Sequence, residues 1–226
     1  MLTAIQPSRH QVEYFRKRIL IWCRHRERDF SWRESGASGF HVLLSEFLLQ
    51  RTRAESVAAI LPKITERLHG WSDVLETDEV ELESLLKPLG LHKRKAVAIK
   101  ALACVLIERG GKIPSTRYEL EQLPGVGQYI ASAILATLYG KREPMLDSNM
   151  ARVLECFFGP RSKADIRDDL DLQILARRVL PKRNPLRFNW AVLDFAAQIC
   201  RPRHPRCIQC PLRDECAWAL QIAVLK

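Results

Sequence analysis

Apolar residues recur at helical spacing along almost the whole chain. Within residues 11–26 they fall every three or four positions, as expected of a helix that buries one face, at Val12, Phe15, Ile19, Ile21 and Trp22. The same spacing predicts helices at 40–49, 54–68, 73–76, 79–86, 93–109, 118–123, 128–139, 148–158, 174–180 and 188–200. Pro62 is a candidate break, and no pair of alternating strands with a hairpin signal occurs. The pattern predicts an all-α protein.

The composition and charge of the chain indicate where the protein is found and what kind of molecule it binds. The chain has 226 residues, of which 47% are hydrophobic, so it can fold and is not a disordered tail. No stretch approaches the roughly 18 apolar residues of a membrane span, and the N-terminus has no signal core, so a cytoplasmic protein is expected. Lys and Arg number 36 against 26 Asp and Glu, a net charge of +10 that favours polyanions such as nucleic acid.

Four of the seven cysteines crowd near the C-terminus with the spacing C-x6-C-x2-C-x5-C, at Cys200, Cys207, Cys210 and Cys216. Structural disulfides are uncommon in the cytosol, so four clustered thiols indicate a metal centre. Because only one close pair is present, the spacing favours an iron–sulfur cluster, with zinc as the alternative. The scattered Cys23, Cys104 and Cys156 are expected to be small buried hydrophobic residues.

The segment Leu123-Pro-Gly-Val-Gly127 joins two predicted helices through a tight turn. Its two glycines permit positive φ, and the second helix then begins at Gln128 with amide groups that can bind an anion. Such a turn can hold a DNA phosphate of any sequence, although a plain connection between helices is the alternative. The small apolar residues that follow permit close packing and favour a helix-hairpin-helix.

Three motifs in this order resemble a known family. They are the hairpin 123–131, Leu146-Asp-Ser-Asn149 about twenty residues later, and the four-cysteine loop. Together they resemble the helix-hairpin-helix DNA glycosylases of the endonuclease III and MutY type. The resemblance implies two domains with a cleft between them: a six-helix barrel at 31–147 that contains the hairpin, and a [4Fe–4S] domain built from 1–30 and 148–226. In that family the four cysteines hold the cluster.

The resemblance also assigns candidate catalytic residues. Asp147 matches the carboxylate that stabilises positive charge on the sugar, although an aspartate here could simply cap a helix. Glu46 matches a glutamate that faces the base pocket, whereas an exposed position on the helix is the ordinary alternative. Tyr129 stands where bifunctional members have a lysine and MutY a serine, and could contact the extruded base or merely pack. Because a tyrosine cannot form an imine, no lyase activity is expected.

The remaining candidates would contact DNA. Gln50 resembles the residue that fills the gap left by the flipped base, and Arg51 could donate to the orphan guanine, although both could form a solvated helix end. Asn149 could support Asp147. The candidate phosphate-binding residues of the hairpin are Gly125, Val126, Gly127 and Gln128.

A tyrosine at position 129 resembles the archaeal mismatch-specific thymine glycosylases of this family, whereas a glutamine at position 50 resembles MutY. The resemblance therefore implies a monofunctional, monomeric, nucleoid-associated enzyme of base excision repair that removes thymine or uracil opposite guanine in double-stranded DNA. An adenine glycosylase and a non-catalytic DNA-binding module are the alternatives.

Overall fold

In the computed structural model, which describes residues 7–224, the chain is helical and contains no strand among these residues. The predicted all-α class is confirmed. None of the described helices is long and apolar enough to cross a lipid bilayer. The helices are α1 (Arg9–Cys23), α2 (Gly39–Leu48), α3 (Ala54–Arg67), α4 (Trp71–Glu76), α5 (Glu79–Leu86), α6 (His92–Glu108), α7 (Arg117–Glu121), α8 (Gln128–Thr137), α9 (Ser148–Phe158), α10 (Leu170–Val179), α11 (Pro185–Gln198) and α12 (Ala217–Val224).

Each predicted helix is present, with ends that differ by up to four residues, and three further differences are found. Helix α3 continues through Pro62, because a proline removes only one amide donor and packing can hold the rest of the helix. Ile21, predicted on the buried face of α1, is 47% exposed, because it lies off the stripe formed by Phe15 and Ile19. Helix α12 was not predicted, since its apolar segment has no clear alternation with polar residues.

The described residues divide into two compact units. Residues 29–139 contain α2 to α8 and are called the hairpin unit below. Residues 7–28 and 140–224 contain α1 and α9 to α12 and are called the cysteine unit. The division into domains at residues 31–147 and its complement stays a prediction.

The hairpin unit has its own hydrophobic core, with α2 in the middle. Every residue of α2 from Val42 to Leu48 is buried, and the helix packs against both α3 and α8. A helix that is apolar on all faces is stable only when other elements surround it. Helix α2 is therefore fixed along its length, and so is any polar side chain that it carries.

The cysteine unit is built around α11, which packs against α1 and α9. Its core is rich in aromatic rings, including Phe15, Phe157 and Phe188. The buried carboxylate of Asp194 accepts from the backbone N–H of Arg28 at 3.0 Å and from its Nε at 2.7 Å. This pair ties the end of the segment that follows α1 to α11.

The three scattered cysteines differ in burial. Cys23 is buried as expected, but Cys104 is exposed, so that prediction is wrong. Cys104 lies on the outer face of α6, where the buried positions are Ile99, Leu102 and Leu106. Cys156 is half-buried beside the C-terminal cysteines.

Candidate active site

The predicted helix-hairpin-helix is formed by α7, a six-residue turn and α8. Leu123 and Val126 point into the core, and the amide of Val126 donates to the carbonyl oxygen of Leu123 at 3.1 Å, which closes the turn. Gly125 has φ of +74°, in the region that favours glycine. Gly127 precedes the first residue of α8 with extended backbone and no side chain that caps the helix. The N-cap residue of α8 therefore places no side chain between the start of the helix and a ligand that accepts hydrogen bonds.

The turn is packed directly on the end of α2. A Cβ atom at Gly125 would lie 2.6 and 2.7 Å from two ring carbons of Phe47, which is closer than atoms can approach. In addition, Nε2 of Gln50 donates to the carbonyl oxygen of Gly125 at 2.9 Å. The hairpin and the C-terminal end of α2 are thus joined by both packing and a hydrogen bond.

Helix α2 also carries Glu46, which is only 5% exposed. The alternative of an exposed helix-face glutamate is therefore excluded. Tyr129, in the first turn of α8, is half-buried and packs against the core of the same unit. Because α2 packs on α8, the two helices that carry Glu46 and Tyr129 are neighbours.

Gln50 and Arg51 lie just after α2 and are both exposed. Arg51 has φ of +55°, a conformation that side chains other than glycine adopt at a cost. Such strain in an exposed turn is often found at functional positions. Because both side chains are exposed, both can contact a macromolecule.

Asp147 is the N-cap of α9, so the capping alternative holds as geometry. Its carboxylate accepts from the backbone N–H of Asn149 at 2.9 Å, from that of Met150 at 2.8 Å, and from Nδ2 of Asn149 at 2.6 Å. Burial nevertheless raises the pKa of Asp147 above its ordinary 3.8, against the effect of these donors and of Arg152. An ordinary exposed cap would show the opposite shift, since hydrogen bonds to a carboxylate lower its pKa.

Two residues that the sequence did not identify hold Asp147 in place. The buried side chain of Asn189 accepts from the N–H of Met145 at 3.1 Å and donates to the carbonyl oxygen of Glu143 at 2.9 Å, which fixes the extended segment before Asp147. Arg152 donates to Oδ1 of Asn149 at 3.2 Å. No local pattern could have shown either role, apart from the i, i+3 spacing of Asn149 and Arg152.

Arg152 also connects this site to the cysteine loop. Its Nε donates to the carbonyl oxygen of Cys200 at 2.8 Å, and its Nη2 to that of Ala196 at 3.2 Å. A continuous chain of hydrogen bonds therefore runs from Asp147 through Asn149 and Arg152 to the first of the four C-terminal cysteines.

The four predicted ligands and Cys156 form one cluster of thiols. Cys156 and Cys200 hydrogen-bond to each other, which raises the pKa of Cys200. Burial, together with the nearby Cys216 and Cys207, raises the pKa of Cys210 to about 11. The thiol of Cys216 also donates to the carbonyl oxygen of Cys156 at 3.1 Å, so two cysteines of the loop contact this residue of α9.

This set of donors fits an anionic iron–sulfur cluster. Four thiols converge in a basic loop, and the buried Nε of Arg201 has no hydrogen-bond partner in the described part of the chain, as expected of a donor directed at a sulfur ligand. Within residues 7–224 no group of three or more His, Cys, Asp or Glu is arranged to hold a single metal ion. A four-iron cluster takes one thiolate per iron, so its ligands stand farther apart than those of one ion.

Comparisons with known proteins bear on this geometry. The family model for the HhH-GPD superfamily of base excision DNA repair proteins matches residues 44–174. The thymine-DNA glycosylase of Aeropyrum pernix is 36% identical over 92% of this chain and 95% of its own length. The thymine/uracil-DNA glycosylase of Pyrobaculum aerophilum is 37% identical over 90% of this chain and 91% of its length.

A solved structure of a thermostable thymine-DNA glycosylase superposes with a TM-score of 0.87 at 32% identity, covering 94% of this chain and 98% of that one. The chain belongs to the HhH-GPD superfamily of base excision DNA repair proteins. The predicted resemblance and the predicted class, a DNA N-glycosylase, are confirmed. Endonuclease III in a trapped DNA complex shares the fold, with a TM-score of 0.83 at 21% identity.

The close packing of the hairpin on Phe47 predicts the effect of Gly125→Ala. The new methyl group collides with the ring, and the alanine must keep a backbone with positive φ. We therefore expect a loss of about 3 kcal/mol in the free energy of unfolding. Denaturant-induced unfolding measures it. Gly127→Ala is the matched control, because no atom lies within 4 Å of the added Cβ. Equal stability of the two variants would contradict the packing described here.

Proposed function

We propose that this protein is a monofunctional DNA glycosylase that removes thymine or uracil mispaired with guanine from double-stranded DNA. The observation that carries the proposal is the carboxylate of Asp147, which is held by three hydrogen bonds and yet is partly withdrawn from water. The names of the thymine/uracil relatives, which this chain matches over about nine tenths of its length, support the choice of base.

The reaction breaks the bond between C1′ of the deoxyribose and N1 of the base, and water then adds to C1′. Positive charge develops on the sugar as the bond breaks. A carboxylate with few competing waters stabilises that charge strongly and can accept a proton from the attacking water. We assign both roles to Asp147, and to Asn149 the role of orienting it.

The base itself is assigned to the hairpin unit. Extrusion places a flipped base in a pocket that reads its edge by hydrogen bonds and its face by stacking. Glu46 is a buried polar group suited to the edge, and it can supply a proton to the departing base. Tyr129 offers an aromatic face, and because a phenol cannot form an imine with the sugar, no strand cleavage follows excision.

Binding of DNA is assigned to the N-terminus of α8 and to the turn after α2. A phosphate can accept from the amides at Gly127 and Gln128, whatever the local sequence. Gln50 is placed to fill the gap that the flipped base leaves, and Arg51 to donate to the guanine that has lost its partner. The surplus of basic residues supplies affinity that falls with salt.

We further propose that Cys200, Cys207, Cys210 and Cys216 bind a [4Fe–4S] cluster, supported by the convergence of their thiols and by the orphaned Nε of Arg201. When bound, such a cluster would supply a redox-active, anionic centre that fixes the loop. Arg152 would hold the loop against α9 through the carbonyl oxygen of Cys200.

A second candidate is excision of adenine. Gln50 is the residue that favours it, because it is the feature shared with MutY-type enzymes. The adenine DNA glycosylase of Mycobacterium tuberculosis is 34% identical over 88% of this chain, although the match covers 66% of that enzyme's length. The substrate panel below distinguishes the two.

The panel consists of duplexes with T·G, U·G and A·8-oxoguanine pairs. We expect excision of thymine and uracil, seen as strand breaks only after treatment with alkali, because no imine forms. Gel electrophoresis of labelled strands measures both steps. Breaks at the adenine alone would favour the second candidate, and breaks without alkali would contradict the monofunctional assignment.

Asp147→Asn separates catalysis from capping. Asparagine caps a helix as well as aspartate does, so the fold should remain. Because the folded-state pKa of Asp147 is raised, its ionised form destabilises the fold above the ordinary pKa, and the variant should be as stable as the wild type or more stable at pH 7. Excision should fall by about 10²–10³-fold. Full turnover, or lost activity that merely follows unfolding, would contradict the assignment.

The purified protein should be yellow-brown and contain roughly four iron atoms per chain. Cys210→Ser should lose most of that colour, whereas Cys104→Ser, an exposed position in the other unit, should keep it. Visible absorbance and metal analysis provide the measurement. A colourless, zinc-loaded wild type with full activity would overturn the cluster.

A further inference from the structure

Lys95 is a buried lysine that neither the proposed chemistry nor the predicted DNA contacts use. It lies in the first turn of α6 and is 6% exposed. Its Nζ donates to the carbonyl oxygens of Leu48 and Gln50, each at 2.9 Å. Burial lowers its pKa, and no carboxylate in the described part of the chain counteracts that shift. A buried ammonium is costly, so its position calls for a specific explanation.

The carbonyl of Leu48 is the last of α2, and that of Gln50 lies in the turn that follows the helix. The last carbonyls of a helix lack partners within the helix and carry partial negative charge, so a cation is favourable there. This turn, residues 49–52, is called the wedge turn below. Arg51 adopts its positive φ in this turn, and the hydroxyl of Thr52 lies 3.3 Å from the carbonyl oxygen of Gln50 and 3.5 Å from that of Leu89.

Gln50 is therefore held at both ends. Lys95 binds its backbone carbonyl, while the side-chain amide reaches the carbonyl of Gly125 in the hairpin. The side-chain contact can be released when DNA binds, because it is a single hydrogen bond at an exposed position. The backbone contact is part-buried and comes from a lysine that also binds the buried carbonyl of Leu48, so it persists and determines where the side chain points after release.

Resting on the proposed function, we propose that Lys95 is a positioning residue for base extrusion. It fixes the wedge turn in its strained conformation, so that Gln50 enters the gap in the duplex without first having to order its backbone. Ordering a loop at the moment of binding costs conformational entropy, which a preformed turn avoids. Lys95 acts through Gln50 and does not itself contact the substrate.

The chain provides a matched control on the same helix. Lys100 also donates to two carbonyl oxygens, those of Leu75 at 3.1 Å and Thr77 at 2.5 Å, at the end of α4. Lys95→Met and Lys100→Met thus remove the same kind of double contact, but only the first lies at the wedge turn. Lys95→Arg keeps the positive charge and tests for partial rescue.

Single-turnover excision is measured on two duplexes. In one, thymine is opposite guanine, and in the other it is opposite an abasic site, where no base pair must be broken. We expect Lys95→Met to slow excision about ten-fold more on the first duplex than on the second, because extrusion limits only the first. Lys95→Arg should lie between the variant and the wild type, and Lys100→Met should slow both duplexes by the same factor.

An equal loss on both duplexes, matching that of Lys100→Met, would reduce Lys95 to a stabilising residue and overturn the inference. If Lys95→Met does not fold, the inference is tested with Lys95→Arg, which should slow excision more on the T·G duplex than on the duplex with the abasic site. A wild-type protein that excises neither thymine would overturn the proposed function and the inference with it. Wild-type activity with equal losses would overturn the inference alone.

Discussion

The carboxylate of Asp147 is subject to two opposing effects, and the site depends on their balance. Three donors at the N-terminus of α9 favour its ionised form, while burial opposes it, and burial prevails. A fully solvated carboxylate would have its charge screened by water, and a fully buried one would be protonated. Held between these limits, Asp147 combines a raised pKa with donors that favour its charged form, which under the proposed function would interact strongly with a positive charge on the sugar.

The surrounding side chains maintain that balance. Asn189 fixes the backbone before Asp147, and Asn149 fixes its side chain. Arg152 then links Asn149 to the carbonyl of Cys200, so the cysteine loop and the carboxylate of Asp147 share one hydrogen-bonded chain. A loop that is ordered by its ligand would keep Arg152, and through it Asp147, in a single position.

The hairpin unit follows the same principle at the wedge turn. Exposed residues suited to contact DNA are held by buried ones: Lys95 binds the carbonyl of Gln50, and Phe47 packs under the hairpin at Gly125. The turn and the hairpin are therefore preformed, and binding energy is not consumed in ordering them. Rigid supports beneath exposed contacts are what a protein needs if it is to displace a base from a stacked duplex.

Local patterns in the sequence predicted much of this fold, and long-range contacts account for the rest. Helix α9 could be placed because Asp147 is a recognisable cap, and the hairpin because its glycines mark the turn. The roles of Asn189, Arg152 and Lys95 could not be predicted, since each acts on a backbone carbonyl or amide more than forty residues away. The burial of Glu46 could not be predicted from the sequence for a related reason. The spacing of apolar residues shows which face of a helix is buried, but not whether other helices cover its remaining faces.

The direct test of this account is the pKa of Asp147 itself, measured by carbon-13 NMR on its carboxyl carbon, with the Asp147→Asn spectrum used to assign the signal. The account predicts a value above the ordinary 3.8, because burial outweighs the capping hydrogen bonds. A value below 3.8 would show a solvated helix cap, and would contradict the view that this carboxylate is partly desolvated for catalysis.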